Sequence, residues 1–310
     1  MLDTDTFLTH LFVTVDDFCL QQLPPDHHPG PAGTLTRSEV VTLALFSQWH
    51  RFRGERDFYR WAQRHLRAAF PRLPNRSQFN RAVRRYQAAV LAFGHACGQA
   101  ATPTPAPYEV LDGVGVAVRN CRRRGRGWLA GQVNLGRSNR LGWYTGFHVL
   151  LAVQPGGVIT GFATAPASTK EQPFAEAFLA GRAAAPPPLT SLGDPHDQYL
   201  ADKGFHGAPN QVRWRNEYGA TVVCAPQRVR QDEPHPWPAP LRQWLAHHRQ
   251  IVETVIGKLL TVFGLEHERP HALTGFLARL GAKVALHNFC LWLNTELGRP
   301  PLAFADLWDW

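Results

Sequence analysis

The chain has 310 residues, 44% of them hydrophobic and 18% charged, with a formal net charge of +9. That length suffices for a full core and about two domains, and no apolar run approaches the ~20 residues of a membrane span. The surplus positive charge points to a polyanionic partner. Only Lys170, Lys203, Lys258 and Lys283 are lysine, the other basic residues being arginine. Arginine fits phosphate-gripping forks, and it equally fits a GC-rich coding bias. Cys19, Cys97, Cys121, Cys224 and Cys290 are scattered and odd in number. They suggest neither a disulfide framework nor a zinc site. The acidic start, Met1-Leu2-Asp3-Thr4-Asp5, lacks the basic residues of a secretory signal. The expected location is therefore the cytoplasm.

Residues 1 to about 100 read as helices. Thr36-Arg37-Ser38-Glu39 and Asn75-Arg76-Ser77-Gln78 are capping boxes. Phe58, Trp61, Ala62 and Leu66 keep helical spacing, as do Phe79, Val83, Tyr86 and Val90. Between Arg51 and Arg85 stand eleven arginines, Arg76 and Arg81 among them, against Glu55 and Asp57. Two short helices of this kind describe a helix-turn-helix reader of DNA, and they also describe an ordinary hairpin with a basic outer face. Thr102-Pro103-Thr104-Pro105-Ala106-Pro107 is the clearest linker. It divides an expected helical DNA-binding region, 1–101, from an expected catalytic domain, 108–310.

Beyond the linker the pattern turns to strands. The run Tyr108 to Val118 carries Asp112 on the same face as Val110, Val114, Val116 and Val118. A basic loop is expected from Arg119 to Arg140, including Arg122, Arg123, Arg124 and Arg126. Trp143–Val153 and Val158–Ala163 flank Gln154-Pro155-Gly156-Gly157 as a hairpin. A helix over Glu171–Ala184 precedes the strand Tyr199–Ala201, which runs into Asp202-Lys203-Gly204. Another strand follows at Ala220–Cys224, then helices over roughly 240–263 and 274–296.

Asp112 and Asp202 are the chemistry-bearing candidates. A carboxylate at the end of an apolar strand is costly unless a metal, a cation or hydrogen bonds compensate it. The bland alternative is a pair of structural carboxylates capping turns or held by arginines. Glu253 lies opposite the stripe Trp244, Ile251, Val252, Val255 and Leu259, beside Ala246, Arg249, Gln250 and Gly257. On pattern alone it reads as a surface acid with an i,i+4 arginine. Together the three acids would cluster around a divalent metal. Glu109 points to the opposite strand face from Asp112. Gly113-Val114-Gly115 lies inside a strand, where a phosphate loop does not form. The adjacent pairs His27-His28 and His247-His248 lack the i,i+4 spacing of helical ligands.

These segments resemble the DDE transposases of bacterial insertion sequences. Val110-Leu111-Asp112-Gly113-Val114 is similar to the first acidic motif, and Leu200-Ala201-Asp202-Lys203-Gly204-Phe205 to the second. His248-Arg249-Gln250-Ile251-Val252-Glu253 resembles the Arg-x-x-x-Glu motif of the third. Gly146-Phe147-His148 stands where the family usually has Gly-Phe-Lys. The chain departs from the pattern at Ala246 (usually Tyr), at Leu260 (usually Lys), and at Ser168 and Glu171 (usually Asn and Asp).

The resemblance implies a ribonuclease-H-like α/β domain, with a mixed sheet flanked by helices, behind an all-α N-terminal region. It implies that Asp112, Asp202 and Glu253 hold Mg²⁺ or Mn²⁺, two ions in all. It further implies cleavage of double-stranded DNA at element ends, then transfer of the 3′ hydroxyl into target DNA. Arg249, Lys203 and the Arg119–Arg140 loop would grip phosphates, and joining two ends implies a homodimer on DNA. The alternatives are a metal-dependent nuclease without strand transfer and a domesticated DNA-binding protein.

Overall fold

A computed structural model describes residues 1–26, 33–102, 104, 106–119, 129–184, 196–226 and 235–309. The chain divides into two compact units, Met1–Ala101 with Leu259–Trp310, and Thr102–Lys258.

The first unit is helical. Its elements are α1 (Thr4–Gln22), α2 (Arg37–Phe46), α3 (Glu55–His65), α4 (Arg76–Arg85) and α5 (Gln87–Ala101). Both expected capping boxes form: Thr36 with Glu39 heads α2, and Asn75 with Gln78 heads α4. The C-terminal boundary differs from the expected 108–310. The last long helix packs among the N-terminal helices because most of its sides are apolar. At the closest crossing, a Cβ on Gly94 would stand 2.7 Å from the Ala285 Cα, and Asn288 donates to the Gly94 carbonyl at 3.0 Å. Trp308 stacks on Phe7 and donates to the Thr4 hydroxyl, while Leu2 exchanges backbone hydrogen bonds with Leu307 and Asp309. The connector from α3 to α4 runs from Leu66 to Asn75 with Phe70 and Leu73 buried. A helix-turn-helix needs a turn of only ~3–4 residues, so the two helices do not form one.

The second unit is a mixed α/β layer built, among the described residues, on a six-stranded sheet. Its strands are β1 (Glu109–Arg119), β2 (Asn134–Ser138), β3 (Gly142–Val153), β4 (Ile159–Pro166), β5 (Gln198–Ala201) and β6 (Thr221–Val223). β3 pairs antiparallel with β1 along one edge and with β4 and β2 along the other, while β1, β5 and β6 run parallel. β2 falls in the expected basic loop. Its Asn, Gly, Arg and Ser are poor strand formers, and pairing with β3 overrides that. Gly136 is required there, since a Cβ would meet the Ala167 carbonyl oxygen at 2.5 Å.

Helices α6 (Glu171–Ala184) and α7 (Ala208–Tyr218) complete this unit, together with α8 (Ala239–Thr261) as far as Lys258. α9 (Leu273–Glu296) is the last long helix noted above. α6 and α7 bury Phe174, Phe178, Leu179 and Trp214 against Leu111, Leu150, Tyr199, Ala201 and Val222. Among the described residues no helix is long and apolar enough to cross a membrane.

Candidate active site

The parallel register between β1 and β5 positions the site. Leu111 lies opposite Ala201. The next residue on each strand, Asp112 and Asp202, therefore leaves the sheet at the same level, on strands about 4.8 Å apart. Asp112 emerges from the apolar face as its alternation predicts and keeps 21% of its side chain exposed, against 44% for Asp202. The Gly113 amide donates to Asp112 Oδ1 at 2.8 Å.

Arg249, on α8, joins the two acids. Its Nη1 donates to Asp202 Oδ1 at 3.1 Å, and its Nη2 lies 3.6 Å from Asp112 Oδ2. The guanidinium is mostly buried, at 14% exposure. The two acidic motifs and the arginine of the third thus meet at one point inside the second unit.

A further acid, absent from the candidates named from sequence, joins them. Glu171 heads α6, and its carboxylate stands 1.3 Å from where a Gly204 Cβ would be. The glycine after Asp202-Lys203 is therefore a seat for Glu171, and any side chain there would displace it. Its position, where the resemblance implied an Asp, was the available signal.

The electrostatics leave the cluster short of positive charge. Burial pushes the Asp112 carboxyl up to about 6; the Gly113 amide and Arg249 oppose the shift, while Asp202 and Glu171 add to it. Burial likewise raises Glu171, with Asp202 adding and Arg249 opposing. One guanidinium faces three carboxylates.

His148 borders the site from β3. A Cβ on Gly113 would lie 2.2 Å from His148 Nε2, so the glycine beside Asp112 makes room for the ring. His148 Nδ1 lies 3.1 Å from the Thr169 carbonyl, which can only accept, so Nδ1 carries the proton of the neutral ring. Burial lowers the His148 pKa, against the pull of the Thr169 carbonyl and Asp112. Burial thus favours the neutral ring at this position, where the resemblance implied a lysine.

The other expected residues separate. Glu253 is exposed, one turn beyond Arg249 on α8. Among the described residues no three His, Cys, Asp or Glu side chains approach closely enough to hold a metal. Arg249 stands between the two aspartates, in contact with both. Lys203 is exposed in a single 3-10 turn. Arg76 is exposed and paired with Glu55 at 3.0 Å; Arg81 is exposed. Arg122, Arg123, Arg124 and Arg126 lie outside the described residues. Glu109, the competing acid, is buried against Arg182 of α6, which donates to both of its oxygens.

Residues 116–289 match the family model of the transposase DDE domain. The chain belongs to the DDE transposase family. No curated protein and no solved structure matches it. Asp202, Arg249 and Glu253 fall inside the matched span, and Asp112 lies just ahead of it. Membership gives a transposase-type function and implies DNA as the substrate.

Proposed function

We infer that this DDE transposase cleaves DNA at the ends of an insertion sequence and joins the freed 3′ ends to target DNA, using a ribonuclease-H-like domain. The observation that carries this reading is the meeting of three separate motifs: Asp112 and Asp202 at one level of adjacent strands, bridged by Arg249. The donor set suits a hard divalent cation, since carboxylate oxygens are the ligands Mg²⁺ and Mn²⁺ prefer. The raised pKa of Asp112 marks a carboxylate that one arginine does not fully compensate. Asp112 and Asp202 would hold such ions, with Glu253 contributed by the next turn of α8 after Arg249. Bound there, the cations would supply charge to activate the attacking oxygen and to stabilise the leaving 3′ oxygen.

The protein's own groups then have definite tasks. Arg249 keeps the two aspartates in register, and its planar fork suits the non-bridging oxygens of a scissile phosphate. Lys203, exposed beside Asp202, would add positive charge along the incoming backbone. His148, with Nδ1 committed to Thr169, walls the site beside Asp112. The basic faces of α3 and α4, with Arg81 unburied, and the arginines before β2 would hold the flanking duplex, giving salt-dependent affinity. Joining two ends would need at least two chains on the DNA, acting at the nucleoid in the cytoplasm.

The test is an assay on labelled DNA carrying the element's terminal repeats, in Mg²⁺ and in Mn²⁺. Wild type is compared with Asp112→Ala, Asp202→Ala and Glu253→Ala. Cleavage and joining lost in every variant, with DNA affinity kept, is the expected result. Cut ends that never join would make the protein a nuclease. Binding without cutting in wild type would make it a DNA-binding protein, and activity surviving Glu253→Ala would remove that residue from the set.

A further inference from the structure

The β2–β3 hairpin carries a feature that the chemistry at Asp112 does not use. Trp143 is 61% exposed and Leu135 is also exposed. An aromatic ring facing water forgoes the stabilisation that burial gives it. In register, Arg137 lies opposite Trp143 and Leu135 opposite Thr145, so all four project from one face. The Arg137 guanidinium stands 6.0 Å from the Trp143 ring centroid, within reach of a cation–π contact.

The platform is firmly mounted. Arg140 Nη2 donates to the Gly115 carbonyl at 2.7 Å, fixing the hairpin end to β1. Asn134 exchanges hydrogen bonds with Ser168 across the edge, through its side-chain amide and the Ser168 amide and hydroxyl. Gly136 closes onto Ala167 on the opposite face. A ring held this way loses little further freedom when something stacks on it.

Charge selects the partner. From Gly113 to Lys170 the sequence contains no Asp or Glu, and seven arginines precede β3 in that stretch. A protein partner has no particular call for that balance, whereas a nucleic acid has. Position fits as well. Residues 143, 145, 147, 149 and 151 of β3 share a face, and Leu151 lies opposite Asp112. Trp143 thus lies on the face that bears Asp112, about 25 Å further along the strand. In duplex DNA the faces of bases are covered by their neighbours, so an isolated ring can stack only on a base that has lost its pair or its neighbour. A single-stranded stretch of the DNA offers such bases.

We propose that Trp143 and Arg137 form a stacking site for an unpaired base of the DNA, about seven base-pair steps from the phosphate that Asp112 faces. The proposal rests on the DNA-cleaving reading above and names where a single-stranded part of that DNA is held.

The test measures binding by full-length protein in EDTA, where no cleavage occurs, so its outcome is independent of catalysis. The probes are a fluorescein-labelled oligothymidine of about 20 nucleotides and a duplex of equal length, read by anisotropy. Trp143→Ala should weaken the single strand roughly 5- to 100-fold, the range of one lost base stack, and the duplex less than about twofold. Trp143→Phe should stay within about threefold of wild type on both, because a smaller ring still stacks. Arg137→Ala should lower the salt dependence of both by about one counterion. An unchanged single-strand affinity in Trp143→Ala overturns the proposal, as does an equal loss on single strand and duplex. A fall in oligomeric mass with DNA affinity intact would make the face a contact between copies, overturning it too. Asp112→Ala should keep both affinities, so a protein that binds the single strand through Trp143 yet never cuts would fail the functional reading alone.

Discussion

β1 carries two acids three residues apart, Glu109 buried and Asp112 half-buried, and each meets an arginine from a helix. At Glu109 the match is closed: Arg182 donates to both carboxylate oxygens, and the two side chains are 2% and 1% exposed. At Asp112 the match is open: one arginine is shared with Asp202, Glu171 adds negative charge, and the carboxyl is pushed up to about 6. The first pair is buried and matched charge for charge. The second keeps water access and an unmet demand for positive charge, as a site that receives a cation or a phosphate requires. Two carboxylates of one strand thus differ in how fully their charge is met, by the number of charges that share their arginine.

The largest expected effects come from removing each acid. Asp112→Asn should lower DNA cleavage at least about 10³-fold, a loss of several kcal/mol of charge stabilisation, with the fold intact. Glu109→Ala should do the reverse. It strands the Arg182 guanidinium in the core and should cost about 3–5 kcal/mol in denaturant unfolding, while activity per folded molecule holds. If Glu109→Leu with Arg182→Met recovered stability, the pair would be confirmed as replaceable packing. A stable Glu109→Ala protein would end the contrast.

Arg249→Lys should follow with a loss of about 10- to 100-fold in cleavage. An ammonium cannot span two carboxylates as a fork does, and kinetics with and without added salt would read it. The smallest effect concerns pH. Because the folded pKa of Asp112 lies above its unfolded value, the unfolded chain releases this proton first. Stability from this group therefore falls as pH rises from about 4 to 6 and stays lost above. Asp112→Asn should thus raise the melting temperature by a few degrees near pH 8, roughly 1–2 kcal/mol after allowance for partial exposure. The gain should fade toward pH 4. A variant less stable than wild type at pH 8 would mean that Asp112 is a satisfied structural acid like Glu109.

Much of this was legible in the sequence because the signals are local. The capping boxes at Thr36 and Asn75, the alternation around Asp112 and the turn after Asp202 each follow from neighbours in the chain. The strand at Asn134–Ser138 was not legible, since its residues disfavour strands and only the β3 edge imposes the conformation. The pairing of Glu109 with Arg182 joins residues far apart in sequence, and spacing carries no trace of it. Glu171 was visible only as a departure, because its relation to Gly204 appears only once α6 and the turn after β5 are placed. The helix-turn-helix pattern failed for a related reason: composition suggested two basic helices, but the length of their connector depends on where Phe70 and Leu73 bury.

The first unit, assembled from residues 1–101 and 259–310, has a consequence for synthesis on the ribosome. Leu2, Phe7 and Gly94 emerge early, but their partners Leu307, Trp308, Ala285 and Asn288 come last. At roughly 5–20 residues per second, the early helices wait on the order of 10–40 s with the apolar groove for α9 uncovered. The contiguous residues 102–258 have no such delay. During that interval the nascent chain is most exposed to chaperones and proteases, and a truncation that removed only α9 would make the interval permanent.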